Sequence, residues 1–157
     1  MIVGLHHVAI STPDLEAAVA FYSGLLGFEV VQRSGWDRDF PKADQAIGLS
    51  KTAAKMAMLQ AGNAFVELWE YSNPTPEDRT ARPCDLGYPH FALQVTDIDA
   101  EYARLSAGGM KFVGEVVDFG SSSAIYGRDP FGNVIELYEI RDESTAQLPS
   151  SRDESNR

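Results

Sequence analysis

Two stretches of this chain repeat one another, and a repeat restricts the fold more tightly than composition does. His7-Val8-Ala9-Ile10 resembles His90-Phe91-Ala92-Leu93. After each comes an Asp followed by an aliphatic residue, Asp14-Leu15 and Asp97-Ile98. Phe65-Val66-Glu67-Leu68-Trp69-Glu70 closes the first copy, and Val134-Ile135-Glu136-Leu137-Tyr138-Glu139 closes the second. Each half therefore opens on an H-x-A strand and ends on an E-L-aromatic-E strand.

Between these ends the halves also read alike. Leu15, Val19, Tyr22 and Leu26 recur every three or four residues, the stripe of an amphipathic helix. Thr12 or Asp14 suits its start, Pro13 is tolerated there, and Gly27 suits its end. Ile98, Tyr102 and Leu105 form the second stripe, which Gly108-Gly109 stops. The spacing predicts strands over Phe28–Gln32, Lys55–Leu59 and Ala64–Glu70, then over Lys111–Val117, Ala124–Arg128 and Val134–Ile140. The expected fold is thus α+β, two βαβββ modules at 1–70 and 87–140. Residues 34–50 are an insertion carrying Trp36, Arg38 and Phe40, readable as a substrate-covering loop or as a mobile surface loop. Residues 71–86 hold Pro74, Pro76 and Pro83 and read as a linker. Residues 141–157 are polar and aperiodic and read as a disordered tail.

Several function classes drop out on composition. A net charge of −10 speaks against a nucleic-acid partner, because phosphate binding needs clustered Lys and Arg. No apolar run approaches the roughly 20 residues that span a bilayer, so no membrane association is expected. Strand-like sequence begins near Met1, and Cys84 is the sole cysteine, which excludes an intrachain disulfide. Together these give a cytoplasmic expectation. Cys84 sits among prolines with no His beside it, so nothing local activates its thiol.

Strand alternation then selects candidate ligands. His7, Ala9 and Ser11 share one face, and the repeat register sets His7, not His6, against His90. Glu67 and Glu136 each sit mid-strand between aliphatic neighbours, where a carboxylate is costly unless paired or bound to a cation. Two histidines and two carboxylates in matching slots form an N2O2 set suited to a divalent ion with positions left open. His6 is read as a structural residue or one that supports a neighbouring ligand, Asp14 and Asp97 as helix starters, and Glu70 and Glu139 as solvated.

Residues 5–140 resemble the vicinal-oxygen-chelate superfamily, which includes glyoxalases, bleomycin resistance proteins and extradiol dioxygenases. The segments carrying the likeness are Leu5-His6-His7-Val8-Ala9-Ile10, Asp14-Leu15, Ala20-Phe21-Tyr22, Leu26-Gly27-Phe28 and Phe65-Val66-Glu67-Leu68. Gly87-Tyr88-Pro89-His90-Phe91-Ala92-Leu93 and Asp129-Pro130-Phe131-Gly132-Asn133-Val134-Ile135-Glu136-Leu137 complete it. The resemblance implies curved sheets forming a cup around one divalent ion (nickel, cobalt, zinc, manganese or iron) held by His7, Glu67, His90 and Glu136. That ligand order is the one in bacterial glyoxalase I and is near that of methylmalonyl-CoA epimerase. Where glyoxalase I places a glutathione-binding Arg and Asn, this chain has Ser11 and Tyr71, which argues against a glutathione thioester substrate.

The leading expectation is a glyoxalase-like lyase or isomerase acting on a small oxygen-chelating carbonyl substrate through a metal-stabilised enediolate. Glu136 or Glu67 would move the proton as base and then acid. Phe65, Trp69, Tyr126 and Trp36 are expected to line the substrate site, core packing being the competing fate of such aromatics. A second reading is an iron(II) extradiol-type dioxygenase, with His7, His90 and Glu136 as the facial ligands and Tyr126 behind them. A third is metal-free small-molecule binding of the resistance type. A homodimer is expected, because two small modules leave sheet edges and apolar surface to cover.

Overall fold

The computed structural model describes residues 1–38, 40–78 and 82–148. Residues 149–157 of the expected tail lie outside them. The chain divides into two compact units, one made of Met1–Pro89 with Asp129–Asn133, the other of His90–Arg128 with Val134 onwards.

The first unit holds a four-stranded sheet. Its strands are β1 (His7–Ser11), β2 (Glu29–Trp36), β3 (Ala53–Ala61) and β4 (Ala64–Asn73), in the order β1-β4-β3-β2. β1 runs parallel to β4, with His7 opposite Phe65 and Ala9 opposite Glu67, whereas β2, β3 and β4 pair antiparallel. Helix α1 (Leu15–Val19) connects β1 to β2 and packs on β3 and β4. Its first turn is satisfied twice: Asp14 Oδ1 accepts from the Ala17 N–H at 2.9 Å, and Glu70 Oε2 accepts from the Leu15 N–H at 2.8 Å. Glu70 is therefore a cap and a partner of Lys55 Nζ (3.5 Å), not the solvated side chain expected.

The helix does not continue as one regular stripe. Over Ala20–Leu25 it widens into a π-helical turn, in which the Leu26 N–H reaches back five residues to the Phe21 carbonyl. The wider turn places the adjacent Phe21 and Tyr22 both in the core, their ring centroids 5.2 Å apart, while Val19 and Leu26 are only partly covered. Gly27 then ends it at φ 79°, a conformation that favours glycine.

The insertion is not simply a loop. Ser34–Trp36 continue β2, and Pro41–Ile47 form a helix, α2, with Pro at its first position and Gly48 at its end. Asp44 on α2 accepts from the Lys51 N–H (2.6 Å), the Thr52 N–H (2.9 Å) and the Thr52 hydroxyl (2.5 Å), tying the helix to the start of β3.

The second unit repeats the plan. Its strands are β5 (His90–Val95), β6 (Lys111–Phe112), β7 (Val117–Asp118), β8 (Ser122–Arg128) and β9 (Val134–Ile140), and α3 (Ile98–Ala107) packs on β9. β5 lies parallel to β9, with His90 opposite Val134 and Ala92 opposite Glu136, the register of β1 on β4. Asp97 Oδ1 caps α3 by accepting from the Ala100 N–H at 3.0 Å. The single strand expected over Lys111–Val117 is broken in two. Phe112 pairs with Gly127 and Val117 with Ala124, so residues 113–116 stand opposite Ile125 and Tyr126 alone. The surplus bulges out of the ladder. Glu139 pairs with Arg141 (3.3 Å) instead of facing water unpartnered.

In each unit one sheet face and the helix enclose the core. Val66 and Leu68 of β4, and Ile135 and Leu137 of β9, are buried with Leu15, Ala18, Ile98 and Leu105. Alternation therefore sends Glu67 and Glu136 to the opposite face. Among the described residues, no helix is long and apolar enough to cross a membrane.

Candidate metal centre

The equal registers of the two parallel ladders create two equal side-chain pairs. His7 Nε2 lies 3.5 Å from Glu67 Oε2, and His90 Nε2 lies 3.2 Å from Glu136 Oε2. Both carboxylates are largely covered, with side chains 13% and 14% exposed. Their ion-pair partners among the described residues are histidines, not Lys or Arg. An imidazole nitrogen and a carboxylate oxygen converging this way are a borderline-to-hard donor couple, and their chemistry fits a divalent cation. Two donors make half of a ligand set. Among the described residues, no group of three or more His, Cys, Asp or Glu is gathered tightly enough to hold a metal ion.

Each pair has its own support. In the first unit His6 Nδ1 lies 2.8 Å from His7 Nδ1, so one ring donates there and the other accepts. For His7 to offer its Nε2 lone pair to a cation, the proton must sit on its Nδ1 and be given to His6. His6 in turn stacks on Phe65, with centroids 5.0 Å apart. Strand alternation had set His6 and His7 on opposite faces. The rings nevertheless meet at the start of β1, where the His6 carbonyl accepts from the Phe65 N–H at 3.0 Å. Trp69 Nε1 donates to Glu67 Oε2 at 2.7 Å. Trp69 also stacks on Tyr71 (5.6 Å) and meets Trp36 edge-on (5.3 Å), while Trp36 touches Phe40 (5.9 Å) and donates to the Thr52 carbonyl and hydroxyl. Partial burial, and then the nearby charge of Glu67, push the Tyr71 phenol above its ordinary range.

In the second unit Tyr126 is the direct ladder partner of Glu136 and meets the His90 ring edge-on at 5.0 Å. Burial first, then the charge of Glu136 and a hydrogen bond to it, push the Tyr126 phenol upward. The corresponding ladder partner of Glu67 is Met58, which has no hydroxyl, so the two pairs are not chemically equivalent.

Two concavities lie near these residues, one in each unit. One, of about 220 Å³, is lined by Gly35, Trp36, Asp37, Ala54, Lys55 and Ser72 and contains none of the four candidate ligands. The other, of about 420 Å³, contains Glu136 and Tyr126. Thus Phe65 and Trp69 attend the first pair, Tyr126 attends the second, and Trp36 is joined to the site through Trp69. Sequence reasoning missed the contact of His6 with His7, and it assigned Tyr71 to the linker. Tyr71 lies two residues beyond Trp69 on a strand that runs to Asn73, so alternation alone would have placed it on the carboxylate face.

Residues 4–137 match the family described as the Glyoxalase/Bleomycin resistance protein/Dioxygenase superfamily. A 2-epi-5-epi-valiolone epimerase of Actinomyces sp is 32% identical over 88% of this chain and 80% of its own length. Human mitochondrial methylmalonyl-CoA epimerase is 26% identical over 85% of this chain and 72% of its own. The crystal structure of a glyoxalase family protein from Bacillus cereus is 29% identical, with a TM-score of 0.80 over 90% of this chain and 97% of that one.

Proposed function

This chain belongs to the Glyoxalase/Bleomycin resistance protein/Dioxygenase superfamily, and from that premise we propose that it is a divalent-metal-dependent isomerase of the epimerase kind. Its substrate is a small carbonyl compound with two neighbouring oxygens, and the reaction moves a proton at the carbon beside the carbonyl. The observation that carries this reading is the same His–carboxylate pair at the same ladder position of both sheets, His7 with Glu67 and His90 with Glu136. Two relatives named as epimerases support the choice of an isomerase.

The four residues would supply the ligands of one ion, nickel, cobalt, zinc, manganese or iron. When bound, the ion supplies Lewis acidity that favours the negative charge developing on the substrate oxygens as the C–H proton leaves. One of Glu67 and Glu136 would take that proton and the other would return one to the opposite face of the carbon, as inversion of the centre requires. The Trp69 N–H holds Glu67 in place at 2.7 Å, and Tyr126 flanks Glu136. His6 holds the His7 ring.

In deuterated water, the active protein should place deuterium at the carbon beside the substrate carbonyl without consuming oxygen. Oxygen consumption with cleavage of a catechol ring would instead establish the iron(II) dioxygenase reading, which Tyr126 against His90 and Glu136 favours. The working assembly in this reading is a homodimer. Mixing His7→Ala with Glu136→Gln chains tells whether the two pairs that serve one ion come from one chain or two. Recovered activity means two, and no recovery means one.

A further inference from the structure

We propose that the pocket beside Glu136 takes an uncharged apolar substituent of the substrate, an alkyl or aryl group attached next to the two chelating oxygens. This rests on the functional reading above and narrows its substrate class. At about 420 Å³ the pocket falls within the range of about 300–1,000 Å³ usual for small-ligand sites. Its wall is Val113, Val117, Phe119, Ala124 and Ile125, and its polar side chains are Tyr126 and Glu136, with Glu115 beside them. Val113, Val117 and Phe119 are 69%, 49% and 66% exposed. Single exposed apolar residues need no explanation, but three gathered round a concavity that holds a candidate catalytic carboxylate mark a surface to be covered.

The pocket is built rather than incidental. Its wall is the bulge of residues 113–116. The Tyr102 hydroxyl pins that bulge to α3 by donating to the Gly114 carbonyl at 3.1 Å. The Val113 N–H donates to the Tyr126 carbonyl at 3.0 Å. On the far side the Phe119 N–H donates to the Ser122 carbonyl (2.8 Å), and Arg141 Nη1 lies 2.9 Å from Asp118 Oδ2. A preformed apolar wall binds an alkyl group without paying to order itself. A hydroxyl placed against it would lose water and gain no partner. Glu115 repels an anionic end, and a cationic end would give up hydration against the apolar wall, so the substituent is neutral as well as apolar.

Calorimetric titration of the zinc-loaded protein with straight-chain hydroxamates, acetyl to octanoyl, tests this, with amides of the same chain lengths as non-chelating controls. Affinity should rise about fourfold per methylene until the pocket is full. A chain ending in carboxylate should bind more weakly than the methyl-ended chain of equal length. The double variant Val113→Ser with Phe119→Ser, both exposed and so compatible with the fold, should flatten the rise. Affinity independent of chain length, or a rise unchanged in the double variant, overturns the proposal. Hydroxamates binding no better than the matched amides while the rise persists would sink the metal reading and leave the pocket standing. Tight hydroxamate binding without a rise would do the reverse.

Discussion

Replacing Tyr22 by Phe removes one oxygen from the core, and its cost can be worked out from the partners of that oxygen. Tyr22 is fully buried, and its hydroxyl donates to Asp129 Oδ2 at 2.9 Å. Asp129 is itself 4% exposed and accepts from the Phe131 N–H, the Asn133 N–H and Asn133 Nδ2 at 2.9, 2.9 and 2.8 Å. The variant leaves a buried carboxylate short of one of four donors and opens no cavity beyond the hydroxyl itself. A hydrogen bond to a charged group contributes about 1.5–3 kcal/mol, so Tyr22→Phe should lower the unfolding free energy by about 2 kcal/mol near pH 8 in urea titrations. The pH dependence makes the test sharper. Burial, and after it the charge of and hydrogen bond to Asp129, raise the folded Tyr22 phenol far above its ordinary value. A raised folded value means that the stabilisation is complete below the unfolded value, about 10, and is lost as pH climbs toward the folded one. At pH 11 the gap between wild type and variant should be about 1.4 kcal/mol smaller than at pH 8, the other tyrosines cancelling in the comparison. A gap under about 0.5 kcal/mol at pH 8, or one that does not shrink by pH 11, would refute this account of the hydroxyl.

Other outcomes follow from single contacts. His7→Ala should abolish tight binding of a divalent ion, whereas His6→Ala should weaken it about 10- to 100-fold, read by competition with a chelating dye. Equal losses would mean that His6 is a ligand and not a support. Ser123 has a buried hydroxyl with no hydrogen-bond partner among the described residues, so Ser123→Ala should raise stability by about 1 kcal/mol in the same urea assay. Asp97→Ala removes the acceptor for the Ala100 N–H and should cost about 1 kcal/mol, with helix loss seen first in α3 by hydrogen exchange.

The repeat made the two modules and the faces of their closing strands legible in the sequence, because the alternation that turns Glu67 and Glu136 one way turns Val66, Leu68, Ile135 and Leu137 the other, into the core. The parallel pairing of opening and closing strands was not legible there. What stayed hidden depended on contacts that periodicity does not encode. The π-helical turn arises where adjacent Phe21 and Tyr22 both gain by burial, which a 3.6-residue pattern cannot express. Helix α2 has no buried residue, so no apolar stripe announces it; Pro41, Gly48 and the Asp44 contacts hold it instead. The break between β6 and β7 reflects two surplus residues, visible only against the partner strand. Glu70 looked solvated because its partner, the Leu15 N–H, lies 55 positions away in the chain. Phe119 offered no signal at all, since one aromatic in a turn gains meaning only from Val113 and Val117 beside it.

The parallel pairing of first and last strands also sets the order in which a module can assemble. The β3–β4 hairpin closes through Gly62 and Asn63 alone, but His7 finds Phe65 across roughly 60 residues and His90 finds Val134 across roughly 45, and contacts of such separation are expected to form late. The two ladders that bring histidine to carboxylate are therefore expected to be the last seams of each module to close. A newly made chain would offer a metal ion no paired donors until its sheets are complete, so capture of a cation by the proposed site would report finished modules and would not trap half-folded ones.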